Sequence, residues 1–201
     1  MQGLCDPRVL ALSAIYFASV TANYGIVFFM PQIVKGMGLS NVMTGFVASV
    51  PYIIGTIGLI AWGYSSDRHR ERRWHMIVAS TLAAAGLVMA GWLGNSFSAL
   101  MGMSIATIGI YGSRAAFWPM PSRFLTGTAA AGAIALINAI GNLGGYLGPF
   151  MVGWIKNETD SFEAGLYFLA APLMGAIITF FATEASGKTA KIQPAEALAP
   201  R

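Results

Sequence analysis

Arg114 is the only Asp, Glu, Lys or Arg between Arg73 and Arg123, in an apolar stretch long enough for two membrane passes. A guanidinium placed in hydrocarbon costs roughly 2.5–3.5 kcal/mol on insertion scales, so its retention needs a reason. Two fit. Arg114 lies toward one end of its run and can snorkel to the headgroups, or it can bind an anion, since guanidinium pairs bidentately with carboxylate. Trp118 follows one helical turn later on the same face, as an aromatic wall or an interfacial belt residue. Asn138 and Asn142 are again one turn apart. They either tie helices together or line a polar cavity, because an amide in lipid requires a partner. Asn23, Tyr24 and, further on, Gln32 interrupt another apolar run as weaker candidates to line a path.

Other chemistries find little footing. A nucleophile–base pair inside the apolar runs would need a histidine or carboxylate there, and neither occurs. His69 and His75 fall in a basic segment and read as solvated loop residues, so no metal ligand set is expected. Gly141-Asn-Leu-Gly144-Gly145 has no Walker lysine or preceding strand, so it is not a phosphate loop. Its spacing, Gly141 with Gly145 and Gly144 with Gly148, is the small-xxx-small pattern of close helix packing in lipid. No cofactor is expected. Nucleic acid is an unexpected partner, because the arginines mark topology rather than a soluble basic face.

The elements that must position these residues are membrane helices. Hydrophobic residues make up 56% of the 201-residue chain and charged residues 10%, against about 25% charged in a soluble domain; mean hydropathy is +0.63. With about 20 apolar residues per span, the charge-free stretches predict an all-α membrane protein with six spans near 9–30, 43–63, 76–93, 97–118, 129–155 and 164–183. Met30-Pro31, Gly36-Met37-Gly38, Gly94-Asn95 and Pro119-Met120-Pro121 mark the expected turns, and Pro149 should kink the fifth helix. Residues 1–183 form one membrane unit, followed by a mobile cytoplasmic tail over 184–201. The first apolar run is too long for a cleaved signal sequence, and the single Cys5 excludes an internal disulfide.

Alternating six spans puts Arg8, Arg68, Arg70, Arg72, Arg73, Arg123, Lys188, Lys191 and Arg201 on one side, and only Lys35 and Lys156 on the other. Basic residues are retained on the cytoplasmic side, so the loop near 64–75 and both termini are expected there, in the inner membrane of the cell.

The segment Gly63-Tyr-Ser-Ser-Asp67-Arg68-His-Arg70-Glu71-Arg72-Arg73 resembles the second copy of the signature loop of the major facilitator superfamily. Phe29-Met30-Pro31-Gln32-Ile33-Val34-Lys35-Gly36, Phe117-Trp118-Pro119-Met120-Pro121 and the run from Gly132 through Asn138, Asn142 and Gly145 resemble helices seven, ten and eleven of its anion:cation symporter branch. The permeases for tartrate, phthalate and 4-hydroxyphenylacetate belong to that branch. The resemblance implies the second half (helices 7–12) of a twelve-helix transporter. It would carry a small organic anion with protons by alternating access, with the anion between two six-helix halves. It also implies substrate contacts at Arg114, Trp118, Asn138 and Asn142, to which the residue pattern adds Asn23 and Tyr24 as candidates. Gly63, Asp67, Arg68, Arg72 and Arg73 would act as a conformational latch. The first half, which in the family holds most proton-coupling carboxylates, is then a required partner. The alternative is a membrane remnant or interaction module with no transport of its own.

Overall fold

A computed structural model of the protein describes residues 6–94, 96–121 and 127–189, with backbone alone at 127–129 and 182–189. Among the described residues six α-helices follow one another: α1 Pro7–Lys35, α2 Asn41–Arg68, α3 Arg73–Leu93, α4 Ala99–Phe117, α5 Gly127–Thr159 and α6 Glu163–Thr189. No strand occurs among the described residues. Five of the six are long and apolar enough to cross a membrane. The exception is the 19-residue α4, which carries Arg114. This is the fold of a multi-pass membrane protein.

Local chemistry explains the helix starts. Asp6 accepts the backbone N–H of Arg8 at 2.8 Å, with Pro7 in the first turn, where its missing N–H costs nothing. Ser40 accepts from the N–H of Met43 and caps α2. The expected turn at Met30-Pro31 is not there. α1 continues through Pro31 to Lys35, because Met30, Ile33 and Val34 are buried and anchor the last turn in the core. That packing outweighs the one hydrogen bond proline removes, and the chain turns instead at Gly36–Gly38. α5 likewise runs unbroken past Pro149. α6 extends to Thr189, beyond the expected end of the last span. Cys5, Asn95, Arg123 and the 190–201 portion of the expected tail lie outside the described residues.

α4 packs between α2 and α3, α3 also meets α6, and α1 lies against α5 and α6. Two buried clusters form the core. One gathers Met30, Val34, Leu87, Met103, Leu169 and their neighbours. The other, nearer the basic loop, gathers Val9, Ile15, Met76, Phe117, Ile137 and Phe180. Backbones approach closely at two seams. A Cβ on Gly144 would stand 2.5 Å from the Phe17 carbonyl oxygen, which fixes α5 on α1; one on Gly102 would stand 2.6 Å from the Ala90 nitrogen, which fixes α4 on α3. Without a hydrophobic drive between helices in lipid, such small-residue seams carry the association. α2 and α5 bury the smallest share of their apolar windows and α1 the largest.

Candidate functional site

Arg114 sits in the last turn of α4. Its Nε is buried and has no hydrogen-bond partner among the described residues. An unpaired buried charged donor is costly; the Nε atoms of Arg72 and Arg73 in the basic loop share this state, whereas Arg114 stands apart from them in an apolar helix. Helical spacing puts Thr107, Tyr111, Arg114 and Trp118 on one face of α4. Ser113, beside Arg114, approaches Ser19 of α1 with hydroxyl oxygens 3.5 Å apart.

Trp118 is half-buried and takes part in a three-ring cluster. Its ring centroid lies 4.9 Å from that of Tyr16, edge to face, while Tyr16 stacks on Phe117 at 5.2 Å. Tyr16 also covers Gly141 so tightly that a Cβ there would collide with its ring. Tyr16 therefore joins α1, α4 and α5 in one place. Sequence reasoning missed it. The available signal was its position seven residues before Asn23, two turns along the same helix face.

The remaining candidates separate into groups. Asn142 donates from Nδ2 to Oδ1 of Asn138 at 3.0 Å, and both are exposed on α5. Asn23 is 8% exposed on α1. Tyr24 is partly exposed and rests against Gly145, so it serves α1–α5 packing. The structure thus brings Trp118 into one aromatic cluster with Tyr16, and Asn138 to Asn142. It shows no direct bond between the asparagine pair and Arg114 among the described residues.

The basic loop is ordered by its own side chains. Asp67 and Arg72 form an ion pair. Arg72 also donates to Ser66 Oγ at 3.0 Å, and that hydroxyl donates to the Glu71 carbonyl at 2.8 Å. Arg68 donates to the Tyr64 hydroxyl at 3.1 Å. Arg73 lies 5.3 Å from the ring of Trp74 and 5.8 Å from that of Phe181, linking the loop to α6. Gly63 lets α2 rest against Ala115 of α4. His75 departs from the solvated reading: its side chain is only 18% exposed. One ring nitrogen is 3.0 Å from Ser65 Oγ and the other 3.3 Å from a Glu71 oxygen. His69 is exposed, with Nδ1 2.8 Å from the Ser65 carbonyl. Burial alone would raise the Glu71 pKa. The backbone N–H groups of Trp74, His75 and Arg73 and the His75 ring outweigh it, leaving the carboxyl below its ordinary value of 4.5. No group of three or more potential metal ligands occurs among the described residues.

The profile of the Major Facilitator Superfamily matches residues 12–200, nearly the whole chain. The chain belongs to the Major Facilitator Superfamily. Among its relatives in this superfamily is a "Putative tartrate transporter" of Agrobacterium vitis, 44% identical over 196 residues, covering 97% of this chain and 44% of the relative. A second protein of that name and organism is 43% identical over 198 residues, covering 96% and 46%. A "Quinolone resistance transporter" of Acinetobacter baumannii is 41% identical over 182 residues, covering 90% and 42%. The similarity agrees with the anion:cation symporter branch of the superfamily. The chain spans less than half the length of these facilitator relatives.

Proposed function

We propose that the chain forms the second six-helix half of a secondary transporter that moves a small organic carboxylate, with protons, by alternating access across the inner membrane. The observation that carries this reading is Arg114. Its buried Nε lacks a partner among the described residues, and its helix face continues to Trp118, which packs edge-on against Tyr16. A carboxylate bound there would gain charge-assisted hydrogen bonds in a setting of low dielectric, where they are stronger than in water. Relatives named for tartrate, a dicarboxylate, support the same substrate class. Asn138 and Asn142 offer hydroxyl or carboxylate contacts from the exposed face of α5, and Asn23 and Tyr24 would add contacts from α1.

The complementary half would come from elsewhere in a longer polypeptide or from a separate one, and would supply the proton-coupling carboxylates. Apart from Glu163 at the start of α6 and Glu184 near its end, the six helices hold acids only at Asp67 and Glu158, all close to helix ends. The basic loop, with Asp67 paired to Arg72, would face the cytoplasm together with both termini and act as a conformational latch, with Gly63, Arg68 and Arg73.

The test is uptake of labelled tartrate and other carboxylates by the complete two-half transporter. Arg114→Ala should reduce carboxylate uptake at least tenfold with unchanged membrane expression, consistent with losing an interaction of roughly 1.5–3 kcal/mol. Uptake equal to wild type would refute the site. A wild-type assembly that inserts but carries no carboxylate would favour a non-transporting module.

A further inference from the structure

Between the last turns of α2 and the first turns of α3 lies a groove of about 340 Å³, lined by Ala61, Trp62, Ser65, Trp74, His75 and Val78. Its walls are mainly hydrocarbon, and its polar atoms already have partners. Ser65 Oγ and a His75 ring nitrogen are 3.0 Å apart, and the Trp62 indole donates to the His75 carbonyl at 3.0 Å. A peptide or sugar would find few hydrogen bonds here. An alkyl chain needs none.

The position specifies the alkyl chain further. The groove opens at the end of two membrane helices, at the level where Trp side chains settle between lipid and water; Trp74 is 53% exposed there. Immediately beyond it, residues 67–73 hold four arginines against two carboxylates. Asp67 is occupied by Arg72, and Glu71 is turned onto the start of α3, where it accepts the Trp74 N–H at 2.9 Å. The rim is therefore positive, with Arg68 and Arg70 both exposed. Basic clusters at a cytoplasmic membrane surface attract anionic lipid by about 1 kcal/mol per charge, roughly fivefold in affinity.

We propose that this groove binds an anionic phospholipid, with one acyl chain between Trp62 and Trp74 and the phosphate headgroup beneath Arg68 and Arg70. The site is separate from the Arg114 face and does not rest on the identity of any transported solute. The occupant is a bilayer lipid because hydrocarbon walls beside a cationic rim, at the end of two membrane helices, match an acyl chain joined to an anionic headgroup.

The experiment uses the full chain in phosphatidylcholine vesicles doped, at equal mole fraction, with dibrominated phosphatidylglycerol or dibrominated phosphatidylcholine. Bromine quenches nearby indoles. The phosphatidylglycerol form should quench more strongly, and the excess should vanish when Trp62 and Trp74 are both replaced by phenylalanine. Filling the groove by Ala61→Phe, or independently by Val78→Phe, should abolish the excess while leaving general quenching intact. Ala61 and Val78 are exposed, so these changes spare the core. Arg68→Ala should weaken the excess about threefold to fivefold. Equal quenching by the two lipids would overturn the proposal, as would an excess that survives both filling variants. Protection of Trp62 and Trp74 from both lipids would show a protein segment in the groove and overturn it equally.

Discussion

At the scale of single residues, the proposed site assigns different tasks to Tyr16 and Arg114. Arg114 would provide charge, whereas Tyr16 would provide position, because its ring is held between Gly141 and the Phe117–Trp118 pair. Gly141→Val therefore tests the arrangement without touching a polar group. It should push Tyr16 away from Trp118 and raise the KM for carboxylate uptake about tenfold, the size of one aromatic contact of roughly 1.5 kcal/mol. Expression should stay within a factor of two of wild type; unchanged KM would remove Tyr16 from the site. The legible part of this site was its chemistry. A guanidinium in an apolar run is visible from residue types alone, and so are paired asparagines. What escaped was Tyr16, because an aromatic residue in a membrane helix carries no anomaly until its neighbours are known. The same limit applied to His75, whose shielding depends on Ser65 and Glu71 folding back over it.

At the scale of elements, helix starts and seams invite separate tests. Glu71 stabilises the start of α3 by accepting from Trp74 and His75. Its pKa is depressed in the folded protein, so the stabilisation is complete above the ordinary carboxyl value and is lost as pH falls below about 4.5. Amide exchange at Trp74 and His75, corrected for intrinsic rates, should accelerate through that window. Glu71→Gln should flatten the pH dependence, and a flat wild-type profile would contradict the assignment. The α3–α4 seam is tested by Gly86→Val. The added carbons would strike the backbone of Ala106 and Gly102, and overpacking of this kind costs about 1–3 kcal/mol. The thermal midpoint in detergent should fall by several degrees; no fall would mean the helices are not so close. The basic turn was placed correctly but drawn too long: the loop expected near 64–75 shrinks to 69–72, because α2 runs on to Arg68 and α3 starts at Arg73. The turn at Met30-Pro31 was misread, because proline's local cost is smaller than the burial of Ile33 and Val34. The glycine pattern in α5 was legible, while the α3–α4 seam was hidden among alanines that attract no notice singly.

At the scale of the whole molecule, the basic side and the sparsely charged side follow from six alternating helices. Cysteine-scanning on a Cys5→Ser background checks the orientation. A cysteine replacing Arg70 should react with a membrane-impermeant maleimide only in inverted vesicles. One replacing Glu158 should react only from outside intact cells. The reverse pattern would invert the topology. α2 and α5 are the least buried of the spanning helices, and the proposed partner half would lie against those two helices.

The α3–α4 seam has one more consequence, for anyone who wants to watch this protein move. Because Gly86, Gly102 and Gly109 bring the two backbones into contact, α3 and α4 are expected to move as one unit. A pair of spectroscopic probes at Val88 and Met101, both outward-facing, would thus report a constant separation in every state. Distances from either probe to α2 or α5 could then be read against that built-in ruler.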